Sequence, residues 1–147
     1  MRRRNRRPLS RVAGGYLAGH GAQTLFGSFS GPGLEAAGAG FERLGLTPGP
    51  TVAALAGASE LGGALLTAAG LAYPIGPLAI IGTMAVASFT AHRGTGAFLA
   101  TAGPELTLIN LTAAAVLATA APGAYSADRL LRRSHTPLPW CASPFSA

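Results

Sequence analysis

Two acids, two imidazoles and an amide lie within or at the edges of long apolar stretches of the chain. Carboxylate and imidazole groups can relay protons and donate hydrogen bonds to a carbonyl oxygen, which is the chemistry of a proton relay or a quinone-headgroup site. Alternatively, the same groups and Asn110 have a purely structural role, in which they hold helices together by hydrogen bonds. The candidate catalytic residues are Glu60, Glu105 and His20, and the candidate quinone contacts are Gln23 and His92.

Glu60 is the most informative of these residues because it stands in the middle of an apolar stretch. An ionised carboxylate facing lipid at that depth would cost several kcal/mol, so Glu60 must be neutral, paired or turned toward the interior of a helix bundle. We therefore expect its carboxyl group to lie within reach of His20, Gln23 or Glu105. A functional site and structural hydrogen bonding both remain open for it.

Several other chemistries lack the residues that they need. The histidines His20, His92 and His135 are scattered, and no His-x-x-x-His or Glu-x-x-His pair is present, so we predict no metal site. Cys141 is the single cysteine, which excludes intramolecular disulfide chemistry. The sequence also has no flavin or nicotinamide motif. We expect no intrinsic cofactor and no oxidation of a substrate by this chain alone.

The composition predicts a membrane protein. Of the 147 residues, 49% are hydrophobic and 11% are charged, whereas soluble domains carry about 25% charged residues. So few charges cannot cover the surface of a water-soluble body of this size. Small residues let transmembrane helices approach closely, and the spacing of Gly15 with Gly19 and of Ser59 with Gly63 predicts such an approach between the first and second spans.

Four apolar stretches without Lys or Arg predict four membrane-spanning helices. They cover residues 12–29, 51–73, 75–91 and 106–121, and Gly and Pro residues punctuate their ends. Between the first two, residues 34–46 carry apolar side chains at helical spacing beside charged ones. The expected fold class is all-α: a four-helix transmembrane bundle with a short amphipathic interfacial helix between spans 1 and 2.

The positive charge is concentrated near the two ends of the chain. The formal net charge is +6, all 11 basic residues are Arg, and nine of these lie within residues 1–11 or 129–133. The positive-inside rule then places both termini in the cytoplasm, and we expect no nucleic-acid partner. The predicted domains are a basic cytoplasmic N-terminus (1–10), a four-span membrane domain (11–131) and a Pro/Ser-rich cytoplasmic tail expected to be disordered (132–147).

Read in order, the sequence motifs resemble those of the DoxX family of small bacterial membrane proteins. The resemblance covers about residues 8–133 and is most specific over residues 20–63. The family often has Lys after the Gln of the first motif, where this chain has Thr24. The matching segments are RVAGGY (11–16), HGAQTLFG (20–27), GPGLE (31–35), FERLGL (41–46), ELGG (60–63), His92, Glu105 and PGAYSADR (122–129).

The resemblance implies a four-helix protein of the bacterial plasma membrane. Family members are linked to respiratory or stress-related redox work, including thiosulfate oxidation coupled to quinone in the related DoxD subunits. One hypothesis is a membrane subunit of a quinone-linked or stress-related redox system that needs a soluble oxidoreductase partner. The alternative is a noncatalytic membrane anchor or scaffold for a partner protein. Both place the chain in a lipid bilayer, and neither fixes its substrate or oligomeric state.

Overall fold

The computed structural model describes residues 7–90, 104–119 and 126–134. Within these ranges the chain forms six α-helices and one 3₁₀ turn, with no strand, which confirms the all-α class. The helices are α1 (Arg7–Phe26), α2 (Gly33–Arg43), α3 (Gly49–Ala69), α4 (Ile75–Thr90), α5 (Glu105–Ala118) and α6 (Ala127–Ser134), and the 3₁₀ turn (Ser28–Ser30) joins α1 to α2.

Helix α3 is the centre of the fold. It packs against α1, α2 and α4, while α5 packs mainly on α4. The buried core lies where these helices meet and consists largely of small or medium-sized side chains, which lets the helix axes come close. Its apolar members are Leu17, Ala53, Ala64, Ile80, Met84, Ala114 and Leu117.

The close approach between α1 and α3 is confirmed, but Gly14 and Gly21 form it rather than Gly15 and Gly19. A Cβ atom at Gly21 would lie 2.6 Å from the amide nitrogen of Leu61, and one at Gly14 would meet the α3 backbone at 2.8 Å. Gly15 and Gly19 have nothing within 4 Å of their Cβ positions. They lie about 100° and 140° around the helix from Gly14, so the face that they form is turned away from α3.

The contact between α3 and α4 uses Gly63, which the sequence had assigned to the α1 interface. A Cβ atom at Gly63 would lie 3.0 Å from the Cβ atom of Ala79, and one at Gly76 would lie 2.8 Å from the Gly63 carbonyl oxygen. The buried hydroxyl group of Thr67 donates a hydrogen bond to that carbonyl at 2.7 Å. Ser59 is exposed, so the predicted pairing of Ser59 and Gly63 against the first helix is wrong.

Helix α2 matches the helix predicted between the first two apolar stretches, although it ends three residues earlier than expected, at Arg43. Gly38 is buried against the start of α3, where a Cβ atom would lie 2.8 Å from the nitrogen of Pro50. The Glu42 carboxylate accepts a hydrogen bond from the Gly49 N–H at 3.2 Å. These contacts hold α2 across the N-terminal end of α3. Its placement on a membrane interface remains a prediction.

One helix of the described residues, α3, is long and apolar enough to cross a membrane, with 21 residues and a mean hydropathy of 1.4. At a rise of 1.5 Å per residue it is about 32 Å long, close to the thickness of the hydrocarbon core. Helix α1 has the length but not the composition, while α4 and α5 are apolar but shorter. Each of the four predicted spans thus contains a helix, but four crossings are not established.

Helix α6 is fastened to the connection between α3 and α4. The Asp128 carboxylate accepts hydrogen bonds from the backbone N–H groups of Ala72 (2.8 Å) and Tyr73 (3.0 Å). The Tyr73 hydroxyl group donates to carbonyl oxygens at the C-terminal end of α5, and the Ser126 hydroxyl group caps α6. Helix α6 crosses the predicted domain boundary after residue 131, and residues 135–147 lie outside the described part of the chain.

Candidate functional site

A cavity of about 470 Å³ lies among the first five helices, and Glu60 lines its inner wall. This Glu60 cavity is within the range of small-molecule sites, which is about 300–1,000 Å³. All five helices, α1 to α5, contribute at least one polar side chain to it. Its polar lining residues are His20, Thr24, Arg43, Glu60, Thr83, Thr107 and Asn110.

Glu60 faces the interior of the bundle, as the cost of exposing a carboxylate to lipid predicts. It is 7% exposed and lies next to the midpoint of α3. The described residues supply no hydrogen-bond or ion-pair partner to its carboxyl group, and its oxygen atoms are not sealed off from the surrounding space. The carboxyl group is therefore open to whatever occupies the Glu60 cavity.

His20 lines the same cavity from α1. Its imidazole meets the Tyr16 ring edge-on, with 6.1 Å between the ring centroids and an angle of 71° between the planes. One turn later, the Thr24 hydroxyl group donates to the His20 carbonyl oxygen at 3.3 Å and also lines the cavity. The structure thus brings together two of the predicted site residues, His20 and Glu60, across the α1–α3 interface.

Gln23 and Glu105 do not line the Glu60 cavity. The Gln23 amide nitrogen donates to the Phe29 carbonyl oxygen at 3.5 Å, because the 3₁₀ turn folds back against the end of α1. Glu105 is exposed in the first turn of α5, where the helix dipole favours an acid. His92 lies outside the described residues. The functional roles predicted for these three residues therefore remain predictions.

Helices α4 and α5 bring polar groups to the cavity that were not among the predicted site residues; of these, Asn110 was expected only to hydrogen-bond between helices. The Thr107 hydroxyl group donates to the Pro104 carbonyl oxygen at 2.8 Å and accepts from the Ser88 hydroxyl group at 3.0 Å. The Asn110 side-chain amide forms no hydrogen bond with the described residues, although Asn110 is partly buried. Thr107 and Asn110 are three residues apart and share one face of α5. This spacing of three residues was the one feature of the sequence that could have indicated a shared polar site.

Helix α2 and its C-cap residue Leu44 close one side of the cavity with both apolar and charged side chains. Phe41 and Leu44 contribute apolar surface, and Arg43 is exposed while also lining the cavity. Arg43 therefore brings a positive charge to the place where the cavity meets the surface of the protein.

The donors and acceptors in the cavity suit a neutral ligand that carries oxygen atoms. The Asn110 amide and a His20 ring nitrogen can donate hydrogen bonds, and the Glu60 carboxyl group can exchange a proton. Most of the remaining wall is apolar. Among the described residues no group of three His, Cys, Asp or Glu side chains could hold a metal ion. Side chains of these types can hold a polar group by hydrogen bonds and exchange a proton with it.

Comparison with known proteins identifies the family. The model of the DoxX family matches residues 9–93, more than half of the chain. This region covers α1 to α4 and includes His20, Thr24 and Glu60. No curated protein matches the chain, and no solved structure does. Because the family match extends over most of the helices that build the cavity, the chain belongs to the DoxX family of membrane proteins.

Proposed function

We propose that this chain is a membrane subunit of a quinone-linked or stress-related redox system and that the Glu60 cavity holds the quinone headgroup. The observation that carries this proposal is the buried Glu60 carboxyl group, which lies next to the middle of α3 and opens into a cavity that His20 and Asn110 also line. Burying a carboxyl group costs free energy that an apolar side chain at the same position would not cost. A ligand that exchanges hydrogen bonds or protons with it would explain why it is there.

The proposed setting is a bundle of four spans, α1, α3, α4 and α5, in the bacterial plasma membrane with both termini in the cytoplasm. The distribution of arginines supports this orientation. The outer surface of the bundle supports contact with lipid, because large apolar side chains on all four helices are exposed. Examples are Val12 (71%), Leu55 (66%), Phe89 (78%) and Ile109 (57%).

A bound quinone would take up two electrons and two protons to become a quinol. In this proposal a soluble oxidoreductase partner would supply the electrons. In this scheme Asn110 and His20 would donate hydrogen bonds to the quinone oxygen atoms, and Glu60 would pass one proton to one of them. The second proton, and the proton that restores Glu60, would come from water at the exposed side of the cavity, where His20 and Arg43 lie. The chain is not expected to turn over a substrate by itself.

Binding of a short-chain benzoquinone to the purified protein in detergent micelles tests this proposal. Loss of a hydrogen bond to a charged or proton-exchanging group is worth roughly 1.5–3 kcal/mol, so Glu60→Gln should weaken binding about tenfold or more. The matched control is Glu35→Gln on α2, an exposed carboxylate that does not line the cavity. Equal affinity in wild type, Glu60→Gln and Glu35→Gln would refute the proposal.

The second candidate function is a noncatalytic anchor that recruits a partner protein. Helix α6 favours it, because Leu130 and Leu131 are each 54% exposed beside the exposed Arg129 and could contact a protein surface. Single substitutions Glu60→Gln, Glu105→Gln and His20→Asn, tested in a host whose redox-stress phenotype depends on this chain, separate the two functions. Loss of the phenotype with normal membrane levels and partner recruitment supports the redox subunit. Full activity in all three variants supports the anchor.

A further inference from the structure

A second cavity, of about 360 Å³, lies between α3 and α4. We call it the α3–α4 groove. Leu55 and Val86 on its walls are 66% and 53% exposed, so the groove opens on the outer surface of the bundle. In a membrane protein this surface faces the acyl chains of the lipids. The residues that line the groove but not the Glu60 cavity are Val52, Leu55, Ser59, Ala79, Gly82 and Val86.

The α3–α4 groove adjoins the Glu60 cavity. Four residues line both: Phe41 from α2, Ala56 from α3, and Thr83 and Ala87 from α4. Three of these four side chains are small, so the wall between the two spaces is thin. The Thr83 hydroxyl group is already bonded to the Ala79 carbonyl oxygen at 3.0 Å. Phe41 is the one large side chain at the junction.

The two adjoining spaces differ in chemistry. The Glu60 cavity carries the buried Glu60 carboxyl group, the partly buried Asn110 amide and the imidazole of the exposed His20. The α3–α4 groove is almost wholly apolar, with Ser59 as its main polar residue. An occupant that satisfies both spaces has a compact polar head and an apolar chain.

We propose that the ligand of the Glu60 cavity is a membrane-borne amphiphile whose apolar chain lies in the α3–α4 groove, and that this groove is its entrance from the bilayer. This inference rests on the proposed function and specifies the ligand as a quinone with a long hydrocarbon chain. Gly82 on α4 keeps the groove open, since nothing lies within 4 Å of its Cβ position. A larger side chain there would occupy the space of the hydrocarbon chain and leave the polar head site intact.

The test compares Gly82→Leu with Gly62→Leu. Gly62 on α3 also has nothing within 4 Å of its Cβ position, and it lines neither cavity, so it is a matched control for placing a leucine in an open helical position. Each purified variant is titrated in the same micelles with a short-chain benzoquinone and with the same ring carrying a decyl chain. Wild type and Gly62→Leu should bind the decyl compound about tenfold more tightly than the short-chain one.

For Gly82→Leu this preference should disappear while affinity for the short-chain compound stays unchanged. A preference for the decyl compound that survives in Gly82→Leu, or that wild type lacks, overturns the inference. Glu60-dependent binding of the short-chain compound would then leave the proposed function standing. Absence of Glu60-dependent binding of either compound would overturn the proposed function itself.

A covalent measurement locates the chain directly. A benzoquinone with a diazirine at the end of its decyl chain is photoactivated in the presence of the protein, and the labelled residues are identified by mass spectrometry. Labelling should concentrate on Leu55 and Val86 and should fall when unlabelled decyl-benzoquinone is in excess. The alternative outcome is equal labelling of the groove residues Leu55 and Val86 and of the lipid-facing Val12 and Ile109, with no decrease when the competitor is added. That result would show that the probe only partitions into the micelle, and it would contradict the assignment.

Discussion

Substitution of Gly21 by Ala tests the packing of α1 on α3. The added Cβ atom would lie 2.6 Å from the Leu61 nitrogen, 2.8 Å from the Leu61 Cβ atom and 2.9 Å from the Gly57 carbonyl oxygen, and none of these atoms can move away without the backbone of α3. The helices must separate by about 1 Å to restore ordinary contact, and overpacking of this kind costs about 1–3 kcal/mol. Replacing Gly by Ala within a helix also raises the free energy of unfolding by up to about 1 kcal/mol, because Ala has the higher helix propensity. The difference leaves a net cost, so we expect Gly21→Ala to lower the free energy of unfolding by up to about 2 kcal/mol.

The matched control is Gly15→Ala, which adds the same methyl group to the same helix where nothing lies within 4 Å. It should leave the free energy of unfolding unchanged or raise it by up to about 1 kcal/mol. Both variants are unfolded reversibly with SDS in mixed micelles and followed by far-UV circular dichroism. If Gly15→Ala destabilises the protein as much as Gly21→Ala does, the assignment of the α1–α3 interface is wrong.

Three further predictions concern the ends of the helices and the topology. Asp128→Asn should lower the free energy of unfolding by about 1–3 kcal/mol in the same SDS titration, because the carboxylate accepts two backbone N–H bonds; stability equal to wild type would mean that α6 is not fastened there. Burial raises the pKa of Tyr73, which lies between α3 and α4. The stability that Tyr73 contributes should therefore be present below about pH 10 and decline as the pH rises through the higher pKa of the folded state, and Tyr73→Phe should remove that part of the alkaline decline. Reporter fusions after residues 47, 75, 100 and 147 should report outside, inside, outside and inside, and an external C-terminus would contradict the proposed orientation.

The helices could be predicted from the sequence, but their ends could not be placed accurately. The second apolar stretch runs to residue 73, whereas α3 ends at Ala69 because Gly70 adopts a left-handed conformation with φ of 63°. The N–H groups of Gly70 and Leu71 then bond to the Thr67 and Leu66 carbonyl oxygens. The chain has 21 glycines, and the sequence alone does not indicate which of them ends a helix.

The rotation of the helices about their axes was harder still to predict. Helix α1 has glycines at positions 14, 15, 19 and 21, so several faces are small enough to meet α3. Only the three-dimensional packing shows that Gly14 and Gly21 face it. A strongly polar face, such as that of α2, would have fixed the rotation.

In the candidate site, too, some features could be predicted from the sequence and others depend on tertiary packing. The burial of Glu60 could be predicted because the energetic cost of its charge in an apolar stretch depends on its sequence surroundings alone. Thr107 and Asn110 reach the cavity from α5 through its packing on α4, which is a tertiary property. Thr24, one turn after His20 on α1, also lines the cavity, although nothing in the sequence indicated that its hydroxyl group would reach the site.

The central claim is that Glu60 helps to hold a quinone inside the bundle. The most direct measurement is the amount of quinone that remains with the protein after purification from bacterial membranes in a mild detergent, determined by extraction and mass spectrometry. Wild type and Glu35→Gln should retain quinone in a fixed ratio to protein, and Glu60→Gln should retain about tenfold less. Quinone that is absent from wild type, or equally abundant in Glu60→Gln, would contradict the claim.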